Sequence, residues 1–162
     1  MTQGYRIAIP VFVLGFLAGA GFWYLFSPAF IDRVVSEELP AGLELSETHN
    51  GQFRDVDGAH RGSGAVRVLS NDAGGTLIRF TDFEVTNGPD LEVWLVGNPD
   101  PRKSADVSAS QWMSLGPLRG NKGDQTYVVP EGTDMADWGS VVIWCEQFGV
   151  LFSVATLLPA EN

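Results

Sequence analysis

From Ile7 to Phe26 the chain runs for 20 residues without a charged side chain. As a helix, at about 1.5 Å of rise per residue, that run spans about 30 Å, the thickness of a bilayer's hydrocarbon core. Trp23 and Tyr24 lie near its end, where amphipathic rings favour the membrane interface. Pro10 falls in what reads as the first turn, where a missing N–H costs little. Gly15 and Gly19 have the spacing of a helix-pairing face. Ala18-Gly19-Ala20 has the small-x-small form of a signal-peptidase site. However, apolar residues continue to Phe26, where a cleaved signal gives way to polar chain. The run therefore reads as an uncleaved signal-anchor. Arg6 and the N-terminal amine stay on the cytoplasmic side. Residues 1–6 are then a cytoplasmic N-terminus, 7–26 a transmembrane helix, and all that follows is extracytoplasmic, in a periplasm or at a cell surface.

The charge balance narrows the partners. Acidic side chains outnumber basic ones by 20 to 10, for a net charge of −10. Such a surface is repelled by phosphates, so nucleic acid and polybasic docking to lipid headgroups are excluded as expectations. The first acidic stretch, residues 27–50, reads as a connector. It carries Asp32, Glu37, Glu38, Glu44 and Glu47, with Pro40 and Gly42 as breakers. Its hydrophobics are too sparse for a core, and a short helix near Ile31–Leu39 fits it. It reads as a spacer between membrane and domain.

From Gly51 the pattern changes to short apolar or alternating runs cut by Gly, Asn, Asp and Pro. Strands are expected at Ala65–Leu69, Thr76–Val85, Leu91–Val96, Trp112–Leu118, Gln125–Val129, Ser140–Gln147 and Gly149–Leu158. Asn71–Gly75 and Asn87–Asp90 read as turns, and Gly97–Ser110 as a polar loop. No run after residue 50 sustains a 3.6-residue period. The expectation is one all-β domain over 51–158, an antiparallel β-sandwich or barrel, with 159–162 as a tail.

Cys145 is the only cysteine and cannot form an internal disulfide. It is therefore a packed thiol, a reactive thiol, a ligand or an intermolecular bridge. Period-two counting through Val141-Val142-Ile143-Trp144-Cys145 puts Cys145 with Val141 and Ile143, and Trp144 with Val142. Apolar residues on both faces mark a central strand. A thiol buried there has a raised pKa and reacts poorly. Only two histidines exist. His49 falls in the connector and His60 in a glycine-rich loop, as a turn residue or as a ligand facing Cys145. Covalent c-type haem, iron–sulfur and blue-copper patterns are absent. Asp55-Val56-Asp57-Gly58 lacks the remaining ligands of a calcium loop. No hydrolase or phosphate-binding motif is present, so a stand-alone enzyme is not expected.

Gly51 to Leu158 resembles the DM13 family. The likeness begins with Gly51-Gln52-Phe53, His60 and Gly64-Ala65-Val66. It continues through Phe83, Asn87-Gly88-Pro89-Asp90-Leu91-Glu92-Val93-Trp94-Leu95, and Leu115-Gly116-Pro117-Leu118-Arg119-Gly120. Further matches are Gly123-Asp124-Gln125-Thr126-Tyr127 and Pro130. Val142-Ile143-Trp144-Cys145-Glu146-Gln147-Phe148, Phe152 and Ala155-Thr156-Leu157 complete it. The resemblance implies a β-sandwich-like extracytoplasmic domain with an electron-transfer or oxidative role. It also implies a cysteine, here Cys145, that acts as a naked thiol or binds a prosthetic group such as haem. On that reading Cys145 is the redox centre, His60 a second ligand, and Trp144 and Phe148 its apolar wall. The alternative is a binding or scaffold module in which Cys145 only packs and the Asn98–Ser110 loop meets an extracytoplasmic partner.

Overall fold

The computed structural model describes residues 2–27, 31–39, 42 and 44–161. It divides into two units, Met1–Ile31 and Asp32–Asn162. The first is helix α1 (Thr2–Phe26), in which Ile7–Tyr24 is long and apolar enough to cross a membrane. Every described side chain in that stretch is exposed, as an apolar helix without protein packing must be. The helix begins at Thr2 rather than Ile7, so Pro10 lies inside it and not in its first turn. The lost backbone donor is then a gap in the helical ladder, which membrane-spanning helices tolerate.

The second unit contains β1 (Val34–Ser36), β2 (Ser46–Asp55), β3 (Gly62–Ser70), β4 (Thr76–Val85) and β5 (Leu91–Val96). Helix α2 (Ser104–Ser108), β6 (Trp112–Pro117) and β7 (Lys122–Val129) follow. A 3-10 turn at Met135–Asp137 leads to β8 (Ser140–Cys145), β9 (Val150–Thr156) and β10 (Leu158–Pro159). The strands form one ten-stranded sheet in the order β1-β7-β4-β3-β2-β9-β8-β5-β6, with β10 also on β2. The all-β expectation holds, but the sheet is mixed and continuous rather than purely antiparallel. β1 runs parallel to β7, while the other pairs are antiparallel.

The sheet curls into a half-barrel through β2. Its first part, to Gln52, pairs with β3; Phe53–Asp55 pair with β9. Gly51 sits at this change of partner, where a Cβ would fall 2.2 Å from the Thr156 carbonyl oxygen. Inside the curl, Val66, Val68, Ile78 and Phe80 from one half meet Leu91, Val93, Leu95, Val141 and Ile143 from the other. Phe53 packs edge-on against Phe80 and Phe83, with centroids 4.8 and 4.9 Å away. Gln125, fully buried, accepts the Tyr127 hydroxyl (2.7 Å) and donates to the Gly120 carbonyl (2.8 Å).

The residues read as an acidic connector enter the second unit at Asp32. A strand, not a helix, forms at Val34–Ser36, because the acidic side chains find cations on the sheet. Asp32 pairs with Lys122 at 2.8 Å, and Glu37 with Arg119 at 2.6 Å. Buried Asn121 accepts the Arg33 N–H at 2.6 Å and donates to Asp32 at 2.8 Å. His49, also placed in the connector, belongs to β2 and pairs with Pro159 of β10.

Gly97–Ser110 is not an open loop. Its α2 is opened by Asp106, whose carboxylate accepts the N–H groups of Arg102 and Lys103. Val107 is buried in a second cluster with Trp94, Val96, Val142, Trp144, Leu151 and Val154, on the outer face of β5, β8 and β9. Arg54 donates to Asp100 (2.7 Å) and to the Pro101 carbonyl (3.0 Å), and Thr156 to the Pro99 carbonyl (2.6 Å).

Candidate functional site

β8 lies between β9 and β5, and all six of its residues are buried. β-Branched Val141, Val142 and Ile143 suit a strand covered on both faces. Alternation sends Val141, Ile143 and Cys145 into the interior of the curl and Val142 and Trp144 to the outer cluster. Cys145 stands opposite Leu91 on β5 and Val150 on β9. It is 0% exposed, and its thiol donates to the Pro89 carbonyl at 3.0 Å.

Two turns close this end of the strand. Glu146 donates its N–H to the Asp90 carbonyl (3.0 Å), and Gly149 its N–H to the Cys145 carbonyl (2.9 Å). Desolvation raises the Cys145 pKa, and the charges of Asp90 and Glu146 act in the same direction. The N–H groups of Phe148 and Gln147 oppose it but do not reverse it. The thiol therefore stays protonated at neutral pH, as a neutral donor rather than a thiolate.

His60 sits in the loop after β2. Asp57 organises that loop: one carboxylate oxygen accepts the N–H groups of Ala59 and His60, both at 2.8 Å, and the other meets His60 Nδ1 at 2.8 Å. The His60 hydrogen bonds hold the Asp57 carboxyl at about 2, well below its ordinary value. The His60 ring packs edge-on against Phe152 at 4.5 Å. Phe152 belongs to the same core cluster as Cys145 and closes over Gly88, where a Cβ would fall 2.6 Å from the phenyl ring. The structure thus brings His60 to Phe152, and no hydrogen bond joins it to Cys145. The expected wall is also different. Trp144 points to the opposite face of β8, and Phe148 is 65% exposed at the hairpin tip.

A second arrangement escaped the sequence reading. Trp94 stacks on Trp112 with centroids 4.1 Å apart and planes 11° from parallel. On its other side it meets Trp144 at 5.0 Å and 27°. Register explains the stack. Trp94 pairs with Val142 on β8 and Ser114 on β6, so Trp144 and Trp112 are its two diagonal neighbours on one face. Trp94 and Trp144 are buried, while Trp112 is 50% exposed. One carboxylate oxygen of Glu92 accepts both the Trp94 indole N–H and the Ser114 hydroxyl at 2.7 Å. Strand alternation puts Glu92 and Trp94 on one face of β5, but the partner strands that complete the stack follow only from the register.

Residues 52–157 match the family model described as electron transfer DM13. The chain belongs to the DM13 family. Comparisons with curated proteins and with solved structures returned no match. The DM13 match spans β2 from Gln52 through β9 and so contains Cys145, His60 and the tryptophan stack. Haem, the prosthetic group that the resemblance raised, does not fit Cys145 as placed. An iron-bound cysteine is a thiolate. Cys145 instead donates a hydrogen bond to the Pro89 carbonyl, is closed off from solvent, and has its pKa raised by burial. Among the described residues no group of three or more His, Cys, Asp and Glu side chains is arranged to hold a metal ion.

Proposed function

We propose that this DM13 chain is a membrane-anchored, extracytoplasmic electron-transfer module in which Cys145 acts as a naked redox thiol. The observation that carries this reading is the closure of the sole cysteine inside the family's own domain, beside the turns at 87–90 and 146–149. A thiol kept neutral and covered is protected from indiscriminate disulfide exchange, because exchange requires an accessible thiolate. The apolar helix supplies the anchor, and the position of Arg6 ahead of that helix in the sequence supports an extracytoplasmic domain by the positive-inside rule.

The test is a redox titration of the purified full-length protein in detergent, with the free-thiol count and visible spectrum recorded in oxidised and dithionite-reduced states. Wild type is expected to show a reversible change that Cys145→Ser abolishes, without a Soret band. Identical behaviour of the two proteins would reject Cys145 as the redox centre. The complete packing of Cys145 favours a second reading, a binding module in which the thiol is structural. That reading expects Cys145→Ser to leave redox behaviour unchanged. It also expects pull-down of an extracytoplasmic partner to be lost when the Asn98–Ser110 segment is replaced.

A further inference from the structure

We infer that Trp144, Trp94 and Trp112 form a one-electron relay along the outer face of the sheet, from buried Trp144 to half-exposed Trp112, with Glu92 as the proton acceptor. The inference rests on the electron-transfer reading but concerns residues that reading does not use. Three indoles in sequence, 5.0 and 4.1 Å between centroids, give continuous π overlap from buried Trp144 to half-exposed Trp112. Ordinary core packing explains two buried rings. It does not explain why the third ring of the stack faces solvent, or why the middle ring gives its N–H to a carboxylate.

That carboxylate decides the chemistry. An oxidised indole is a strong N–H acid, so losing an electron is easiest where a base already holds the proton. Among the described residues, Trp94 is the one indole of the three whose N–H has such a partner, Glu92 at 2.7 Å. A one-electron oxidant of the metal-complex class at the surface takes an electron from exposed Trp112. Trp94 refills Trp112, and the Trp94 Nε1 proton crosses to the Glu92 carboxylate. The products are a neutral Trp94 radical, a protonated Glu92 and an oxidant reduced by one electron. No bond between heavy atoms changes. Ser114, donating to the same Glu92 oxygen, holds the carboxylate in place. A one-electron donor at Trp112 reverses every step. At its buried end Trp144 directly precedes Cys145 in the chain, with its ring on the opposite face of β8 from the thiol.

The relay is tested by flash-quench oxidation of the full-length protein in detergent with a ruthenium polypyridyl complex. Trp23→Phe and Trp138→Phe serve as background, so that only the three stacked indoles remain. Transient absorption should show a neutral tryptophanyl radical. Trp112→Phe, at a half-exposed site, should slow its formation by about tenfold or more. Glu92→Gln, which keeps the side chain's shape, should give the protonated cation radical instead. Near-UV circular dichroism establishes that each variant is folded. Radical formation equally fast in Trp112→Phe, or a neutral radical undiminished in Glu92→Gln, would overturn the relay. Cys145→Ser separates the two readings. A radical of unchanged yield and lifetime in that variant supports the relay while removing the thiol from the redox path. Absence of any radical sinks the relay and leaves the Cys145 reading standing on its own titration.

Discussion

Alkylation of Cys145 measures how firmly the end of β8 is closed. A small thiol reagent reaches the sulfur only if the turn at 146–149 lifts. That movement breaks the thiol's bond to Pro89 and the Gly149 N–H bond to the Cys145 carbonyl. At about 1 kcal/mol for each hydrogen bond and about 1 more for exposing the thiol and its methylene, opening costs about 3 kcal/mol. Labelling of the native protein should then run about a hundredfold slower than labelling of the urea-unfolded chain at the same pH. The assay is mass-spectrometric quantification of iodoacetamide adduct against time at several pH values. A native rate within about threefold of the unfolded rate would mean that no such barrier exists. The thiol would then be an accessible nucleophile, and the account of a protected centre would be wrong.

Three further outcomes follow from the geometry. Tyr127 is raised to about 12 chiefly by burial, so its neutral form stabilises the fold fully below pH 10. That contribution, about 3 kcal/mol at most, is lost as pH rises from 10 to about 12, and urea unfolding at pH 8 and 11 should show it shrink in wild type but not in Tyr127→Phe. Burial alone would raise the Glu37 carboxyl, but hydrogen bonds from Arg119 and the Thr126 N–H hold it below 4.5. Its stabilising contribution is present above pH 4.5 and lost as pH falls through the lower folded value, so the protection of residues 34–36 against hydrogen exchange, relative to the unfolded chain at the same pH, should fall in acid, and Glu37→Gln should remove that acid step. Gly123 has φ +93°, and a Cβ there would fall 2.0 Å from the Val35 carbonyl oxygen. Gly123→Ala should therefore detach β1 with a loss of about 1–3 kcal/mol by urea unfolding, and an unchanged midpoint would contradict the parallel pairing.

Much of the sheet was legible because burial on one face leaves a period of two in the sequence. Leu91–Val96 and Ser140–Gln147 were readable as strands, although the second ends at Cys145 where the 146–149 turn begins, and the opposite faces of Cys145 and Trp144 followed from counting. β1 was not, because three residues carry no period and the strand is held by Asp32, Glu37 and Asn121 contacts more than eighty positions apart. α2 was hidden for the same reason: one buried valine, Val107, makes no pattern. The site was legible only in part. Cys145 stood out as a single thiol, whereas the tryptophan stack depends on the register of β5 against both β6 and β8, which only the folded sheet fixes. Phe148 read as part of an apolar wall beside Cys145, but it lies in a four-residue turn where the chain reverses and is exposed.

The short parallel strand has a practical consequence for anyone cutting this protein. Among the described residues, the neighbour of eight-residue β7 on the side away from β4 is β1, which pairs with Lys122–Asp124. A fragment begun at Gln52, where the family match starts, discards β1 together with the part of β2 that pairs with β3 and β10. The N–H and C=O groups of Lys122–Asp124 that β1 pairs with then lose their partner and extend the open edge of β7 as a template for strands of other molecules. The three residues of β1 shield the start of that edge, and a fragment that keeps this shield has to begin no later than Asp32.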